Sequence, residues 1–555
     1  MQGRLAAAIA ACEASGDVGA GPQMHAIGWI GMALTLLGGA AGAATPGYDV
    51  VEASIPRLQA DMAAGKVTSE QLVRAYQARI EAIDRAGPTL RSIIALNPHA
   101  LADARALDKE RREGRVRGPL HGVPILIKDN IESADDTPTT AGSLALADNV
   151  TGRDAPLVRR LKDAGAVILG KTNLSEWANI RSGNSISGWS AIGGLVKNPY
   201  VLDRSPCGSS SGTGTAIAAS LAAAGVGTET DGSVVCPSAM AALAGLKPTL
   251  GLVSRTHVVP ISHSQDTPGP MARSVEDAAI LLTALAGSDP ADPATVRADA
   301  HRHDYAAALA GATLKGKRLG VLSYAAGLAP ETDAAFDAAV ALMKAEGADV
   351  IELKDFKPAE GLGDNETTVL MTELKVDLNA YLAATPPAVK TRTLADVIAF
   401  NKATARELVL FGQDSFEKAE ATQGLDDPAY IKARAEALKA AGADGIDKLI
   451  ADNHLDALIA PTYGPASRID VVDGDGISGR SSRLPAIAGY PHLTVPMGQV
   501  RGLPVGLSFI GPAWSEDRLL GLGAAFERAA KARKPPTYLP SVETTPEIET
   551  AVAPR

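Results

Sequence analysis

Residues 198–248 read NPYVLDRSPCGSSSGTGTAIAASLAAAGVGTETDGSVVCPSAMAALAGLKP. Two Gly/Ser clusters, Gly208-Ser209-Ser210-Ser211-Gly212 and Asp231-Gly232-Ser233, bracket a small-residue, largely apolar segment over 215–226. That segment predicts a helix packed closely on its neighbours. The clusters at its ends then supply unhindered hydroxyls and backbone N–H groups, the groups needed to attack a carbonyl and to hold the oxyanion that follows. Gly and Ser are also ordinary loop residues. Loops alone do not account for two clusters set against such closely packable sequence.

Outward from this stretch, apolar runs alternate with amphipathic ones. Upstream, 55–85 reads as two helices, the second opened by the capping-box pattern Thr68-Ser69-Glu70-Gln71. A charged helix over 100–113 follows. The run Pro124-Ile125-Leu126-Ile127 then suits a buried strand and ends abruptly in Lys128. A helix over 154–165 leads into a strand over 166–170, and a polar segment over 171–177 sits where open α/β sheets place their ligands. Downstream, Ser274 caps a helix ending at Leu285, and 317–353 spells strand, helix, strand. Residues 365–455 are helical and charged, without a motif, and read as a cap-like covering layer. Strands over 455–461, 484–496 and 502–507 precede a closing helix over 516–531. The class is α/β. Residues 44–540 read as one domain and 541–555 as a loose tail.

Composition narrows the field. Hydrophobic content of 46% with 21% charge belongs to a globular chain, and a net charge of −10 argues against nucleic acid and anionic membrane surfaces as partners. From Met24 the chain runs into an apolar stretch, 27–37, ending at Ala41-Gly42-Ala43. This reads as a secretory signal with its start at Met24 and cleavage near Ala43, giving an exported, periplasmic or secreted protein. Of the three cysteines, Cys207 and Cys236 sit beside the two clusters. No Cys/His spacing marks a metal site. A disulfide between them stays open, and free buried thiols are the favoured reading.

Several chemistries compete for the serines. Gly208–Gly212 matches G-x-S-x-G centred on Ser210, but that elbow needs a buried strand before it, and 202–207 is polar and broken by Pro206. A P-loop fails because no lysine follows Gly212. His121, His257 and His263 are available as bases, and nothing marks any of them. Lys128 is more pointed: at the end of a buried strand, desolvation can strip its proton and make it a general base.

Taken together, Lys128, the cluster around Ser209, Gly227-Thr228-Glu229-Thr230-Asp231-Gly232-Ser233 with Pro237, and Gly489-Tyr490-Pro491 with Val495-Pro496-Met497-Gly498 resemble the amidase signature family. The resemblance spans about residues 53–533. It implies a large mixed central sheet covered by helices on both faces, and a Ser–cis-Ser–Lys triad without metal or organic cofactor. By position, Ser233 is then the nucleophile, Ser209 the bridging serine and Lys128 the base, with backbone N–H groups of Thr230, Asp231, Gly232 and Ser233 as the oxyanion hole. Ser210, Asp231 and Trp177 are expected to touch substrate. Asp231 stands where the family usually has glycine, and Val235 where it usually has arginine. Those departures, with 173–179, 185–190 and 264–270, look like the peptide amidase branch, which removes C-terminal amides of peptides. Other small amides are the alternative substrate. A silent scaffold or an amidotransferase component is the alternative from another class, opposed by the complete set Lys128, Ser209 and Ser233, by the acidic charge and by the signal sequence.

Overall fold

Short strands buried along their whole length build the centre of this molecule. The computed structural model describes residues 47–554, so the signal-sequence reading over 1–43 lies outside the described residues. In chain order the strands are β1 (Ile93–Leu96), β2 (Pro124–Lys128), β3 (Val167–Thr172), and a small ribbon of β4 (Trp189–Ser190) and β5 (Gly194–Leu195). Then come β6 (Ala224–Glu229), β7 (Ala244–Lys247), β8 (Thr267–Ala272), β9 (Arg318–Val321) and β10 (Asp349–Glu352). The last are β11 (Ala457–Pro461), β12 (His492–Val500) and β13 (Leu503–Ile510). All but the ribbon join one 11-stranded sheet in the order β1-β3-β2-β6-β8-β7-β12-β13-β11-β9-β10. The sheet is mixed: β2 is parallel to β3 and β6, and β9 to β10 and β11, while the other neighbours are antiparallel.

Both faces are covered. Successive side chains on a strand point to opposite faces. On β11, Ala457 and Ile459 enter one core with Phe336, Met343 and Phe526, while Leu458 and Ala460 enter another with Leu362, Ala441 and Leu484. The helices Pro330–Ala345 and Glu516–Ala530 supply the first set, and Leu362–Ala383, Pro428–Ala441 and Arg483–Ala488 the second. Strands buried on both faces read as near-continuous apolar runs, which is why β2, β11 and β13 are plain in the sequence.

Residues 362–453 are mostly helical, as expected. Leu374, Leu378, Leu394, Val397 and Phe416 make a core of their own here, closed against Trp177 and Val259. The capping box at Thr68 forms as read, with Thr68 and Gln71 bonding each other's backbone.

Three expectations need correction. Residues 215–226 are not one helix: the helix Ser211–Ala218 ends where Ser220 turns left-handed (φ 56°), and β6 follows. The small residues serve close helix–strand contact instead, since a Cβ on Gly225 would lie 2.7 Å from Thr213 Cγ2. The run 484–496 is likewise split, into the helix Arg483–Ala488, ended by left-handed Gly489 (φ 70°), and then β12. The tail is not loose throughout, because Val542–Thr544 and Pro546–Val552 form helical turns with Val542 buried.

Candidate active site

β2 and β6 run parallel, with Ile127 paired to Val226, which brings the side chain of Lys128 at the end of β2 within reach of Thr228 on β6. Lys128 is fully buried. Its Nζ lies 2.8 Å from Thr228 Oγ1, 3.2 Å from the Thr228 carbonyl and 2.7 Å from Ser209 Oγ. Asn130 Nδ2 donates to the same Thr228 hydroxyl at 2.9 Å. Burial drives the lysine down to about 7, against the opposing pull of Asp266 and Glu229. A substantial share of the amine is therefore neutral near pH 7, with a lone pair available to the Ser209 hydroxyl.

Ser209 follows a cis peptide bond from Gly208. Its carbonyl accepts from Ser175 N–H at 3.1 Å, and the next residue, Ser210, donates its N–H to the Ser233 carbonyl at 3.2 Å. The two Gly/Ser clusters are thus laid side by side. The Cys207–Cys236 disulfide joins the same two arms, with Cα atoms 6.0 Å apart. This corrects the free-thiol expectation. The two cysteines flank clusters that must converge, so their side chains converge with them.

The loop after β6 is shaped from below by Glu229. Its carboxylate accepts Val234 N–H at 2.8 Å and Val235 N–H at 3.0 Å. Glu229 is fully buried, which raises its pKa, and buried Lys247 opposes that rise. With those donors turned inward, the Asp231 and Ser233 N–H groups have no acceptor among the described residues. Gly232 turns the loop at φ 88°, and a Cβ there would strike the Tyr463 hydroxyl.

Asp231 has a place in this scheme. Its carboxylate pairs with Arg480 at 2.6 Å and accepts from the Ser482 hydroxyl. Burial pushes its pKa up, but Arg480 and Ser482 outweigh that and hold it below the ordinary value. Nearby Glu366, bonded to Gln265 and to Arg483 at 3.0 Å, is pushed well up by burial and by Asp231.

Ser233, Thr230, Asp231, Cys207 and Gly208 line a cavity of about 290 Å³, closed by Asn179, Ile180, Leu370, Tyr463, Ile477 and Arg480. A second cavity, about 380 Å³, lies beyond Thr230 and is lined by Asn130, Thr228, Ile261 and Asp266. Asp266 accepts from Thr230 Oγ1 at 2.6 Å and from two backbone N–H groups, and burial raises it to about 6.

Lys128, Ser209, Ser233 and the 230–233 loop are therefore brought together. Two expected substrate contacts are not. Ser210 is fully buried, its hydroxyl bonded to both the N–H and the carbonyl of Thr228, so it fastens the cluster to β6. Trp177 packs edge-on against Phe416, with ring centroids 5.7 Å apart, and its neighbours Ala178, Asn179 and Ile180 face the cavity instead. The histidines stay outside the catalytic group, His121 bonding the Leu107 carbonyl at 3.0 Å. Arg480 and Tyr463 were not picked out from the sequence, since they lie in segments without a motif, and Asn179 was passed over in favour of Trp177 within 173–179. Among the described residues, His263, Glu373 and Asp377 gather ligand atoms within 4.8 Å of one another. Tyr430 and Arg434 already engage Glu373, so the group is an ion-paired histidine rather than an open metal cradle.

The model of the family described as Amidase matches residues 71–520. The chain belongs to the amidase family. A native peptide amidase from Stenotrophomonas maltophilia is 51% identical, covering 88% of this chain and 99% of that one, with a TM-score of 0.82. A protein of Arabidopsis thaliana described as a probable amidase is 41% identical over 503 residues, 89% of this chain and 93% of its own length. A glutamyl-tRNA(Gln) amidotransferase component of Halorhodospira halophila is 33% identical, over 87% of this chain and 98% of that protein. This amidase is an amide-hydrolysing enzyme with the amidase-signature fold, as the resemblance implied.

Proposed function

We propose that this amidase hydrolyses the C-terminal amide of peptides or of N-acylated amino acid amides, releasing ammonia through an acyl-enzyme on Ser233. The observation that carries this is the fully buried Lys128 amine, held 2.7 Å from Ser209 Oγ, beside the cavity that Ser233 lines. The 51% identity to a peptide amidase supports the choice of substrate.

In the forward step Ser233 Oγ bonds to the amide carbon while its proton passes through Ser209 Oγ to neutral Lys128. Negative charge collects on the carbonyl oxygen, where the free N–H groups of Asp231 and Ser233 can receive it. The C–N bond breaks as the proton returns along the same route to the nitrogen, and ammonia leaves. Water, giving up a proton to the same relay, then attacks the ester carbon. The acid departs and Ser233 is restored.

The test is ammonia release by the purified enzyme from a panel of peptide amides and simple aliphatic or aryl amides. The peptide amides are expected to react with the higher kcat/KM. Equal or greater rates on simple amides would replace the substrate named here with the alternative class. Ser233→Ala is expected to lower kcat by about 10⁴-fold or more, and full activity in that variant would overturn the mechanism. Export, with the mature chain starting near Ala44, is likewise proposed.

A further inference from the structure

A peptide unit is planar and trans, so its carbonyl and its N–H point in opposite directions. Whatever holds the carbonyl therefore aims the N–H. The N–H groups of Asp231 and Ser233, which lack an acceptor among the described residues, belong to peptide units whose carbonyls are those of Thr230 and Gly232. Both carbonyls are held from behind. Gly232 accepts Cys236 N–H at 2.8 Å, a main-chain bond of the helical turn that follows Ser233. Thr230 accepts no backbone N–H among the described residues, and its carbonyl is taken instead by Gln265 Nε2 at 3.2 Å. One of the two donors is thus aimed by a side chain.

Gln265 is buried and stands outside the lining of the Ser233 cavity. A carbonyl can only accept, so Gln265 must turn its nitrogen rather than its oxygen toward Thr230. The same nitrogen donates to Glu366 Oε1 at 3.2 Å. The next residue, Asp266, accepts from Thr230 Oγ1 at 2.6 Å, so two consecutive residues hold the carbonyl and the hydroxyl of Thr230. On the other side of Gln265, Ser264 donates its hydroxyl at 2.8 Å and its N–H at 3.1 Å to Glu373. Glu366 and Glu373 both belong to the helix Leu362–Ala383. The segment 264–266 is therefore fastened to the cap on one side and to the nucleophile loop on the other. We infer that Gln265 is a positioning residue for the oxyanion hole: it fixes the Thr230–Asp231 peptide so that Asp231 N–H meets the charge collecting on the carbonyl oxygen. It touches neither the substrate nor the proton relay. A donor aimed in advance acts on the charge of the transition state more than on the ground-state carbonyl, so its loss falls on kcat. This rests on the mechanism given under Proposed function and is independent of the substrate chosen there.

The test uses Gln265→Met, which has similar length and no donor, and Gln265→Asn, which keeps the amide one methylene short of Thr230. Rates of ammonia release from an N-acyl amino acid amide give kcat and KM, and urea denaturation midpoints check that each variant folds as the wild type does. Removing an oxyanion donor outright costs about 10²–10³ in kcat. A donor that remains but has lost its aim is expected to cost about 10- to 100-fold in both variants, with KM within about twofold of wild type. Gln265→Asn carries the test if Gln265→Met does not fold. The acid limb of the kcat/KM profile is expected to keep its wild-type midpoint, because Lys128 is untouched. A kcat within about twofold of wild type in a folded variant, a loss carried by KM alone, or a displaced acid limb would overturn the inference while leaving the serine mechanism intact. Full activity in Ser233→Ala would take both down together.

Discussion

Lys128 is a cation that the fold deprives of water, and its chemistry follows from that. No carboxylate among the described residues pairs with it directly. Its nearest partners are hydroxyls and a carbonyl, with Asp266 and Glu229 acting only at longer range. Burial therefore wins and brings the amine to about 7. Below that pH the amine is protonated and cannot accept from Ser209, so kcat/KM should fall about tenfold per unit as pH drops below about 7 and level off above it. A profile flat across that range would exclude Lys128 as the base. As candidates, Lys128 was legible as the charged end of a buried apolar strand, whereas Ser209 and Ser233, rather than Ser210, were singled out only through the family resemblance. Asp231 was legible only as an anomaly, since its partner Arg480 lies about 250 residues further on in a segment without pattern. The pair now predicts its own test. Arg480→Ala and Asp231→Asn should each lower kcat/KM by roughly 10-fold, by loosening the loop that carries Ser233, and the double variant should be little worse than either single one. Additive losses would mean that the two side chains act separately.

At the scale of elements, β2, β11 and β13 announced themselves as apolar runs, whereas β8 did not. Its sequence, Thr267-Pro268-Gly269-Pro270-Met271-Ala272, carries two prolines, which ordinarily exclude a central strand. It nonetheless lies between β6 and β7. The loop leading into β8 bears Asp266 and also His263, which ties it to the helix Leu362–Ala383. His263 Nδ1 lies 2.9 Å from Asp377, its Nε2 lies 3.3 Å from Glu373 Oε1, and Arg434 Nε lies 3.4 Å from the same oxygen. The bond to Asp377 raises the imidazole pKa against the effect of its partial burial. With the folded value raised, the latch is fully made below the ordinary histidine pKa and is lost as pH rises through the raised one. Hydrogen exchange in Leu362–Ala383 should therefore be faster at about pH 9 than at about pH 5.5, after correction for intrinsic rates. His263→Gln should abolish that difference. Protection that is independent of pH in the wild type would show that the helix docks without the latch.

Across the whole molecule, the Cys207–Cys236 bond stands apart from the rest of the active site because it depends on where the protein folds. Its pairing was not legible from spacing, since it requires two clusters 29 residues apart to converge through a helix and a strand. Once they converge, the bond clamps the arm bearing Ser209 to the arm bearing Ser233. A loop of that size implies roughly 3–4 kcal/mol of stabilisation through restriction of the unfolded chain. Such bonds persist in oxidising compartments and are rare in the cytosol. The export proposed above would deliver the chain to an oxidising compartment. The proposed export and the bond together predict that enzyme produced from the full sequence is recovered outside the cytosol, begins near Ala44 by N-terminal sequencing, and contains no free thiol at Cys207 or Cys236. Enzyme made without residues 1–43 in a reducing cytosol should lack the bond, denature at lower urea concentration and regain the difference on oxidation. Equal denaturation midpoints for the oxidised and reduced forms would mean that packing alone holds the arms, and the tie between folding compartment and active site would fail.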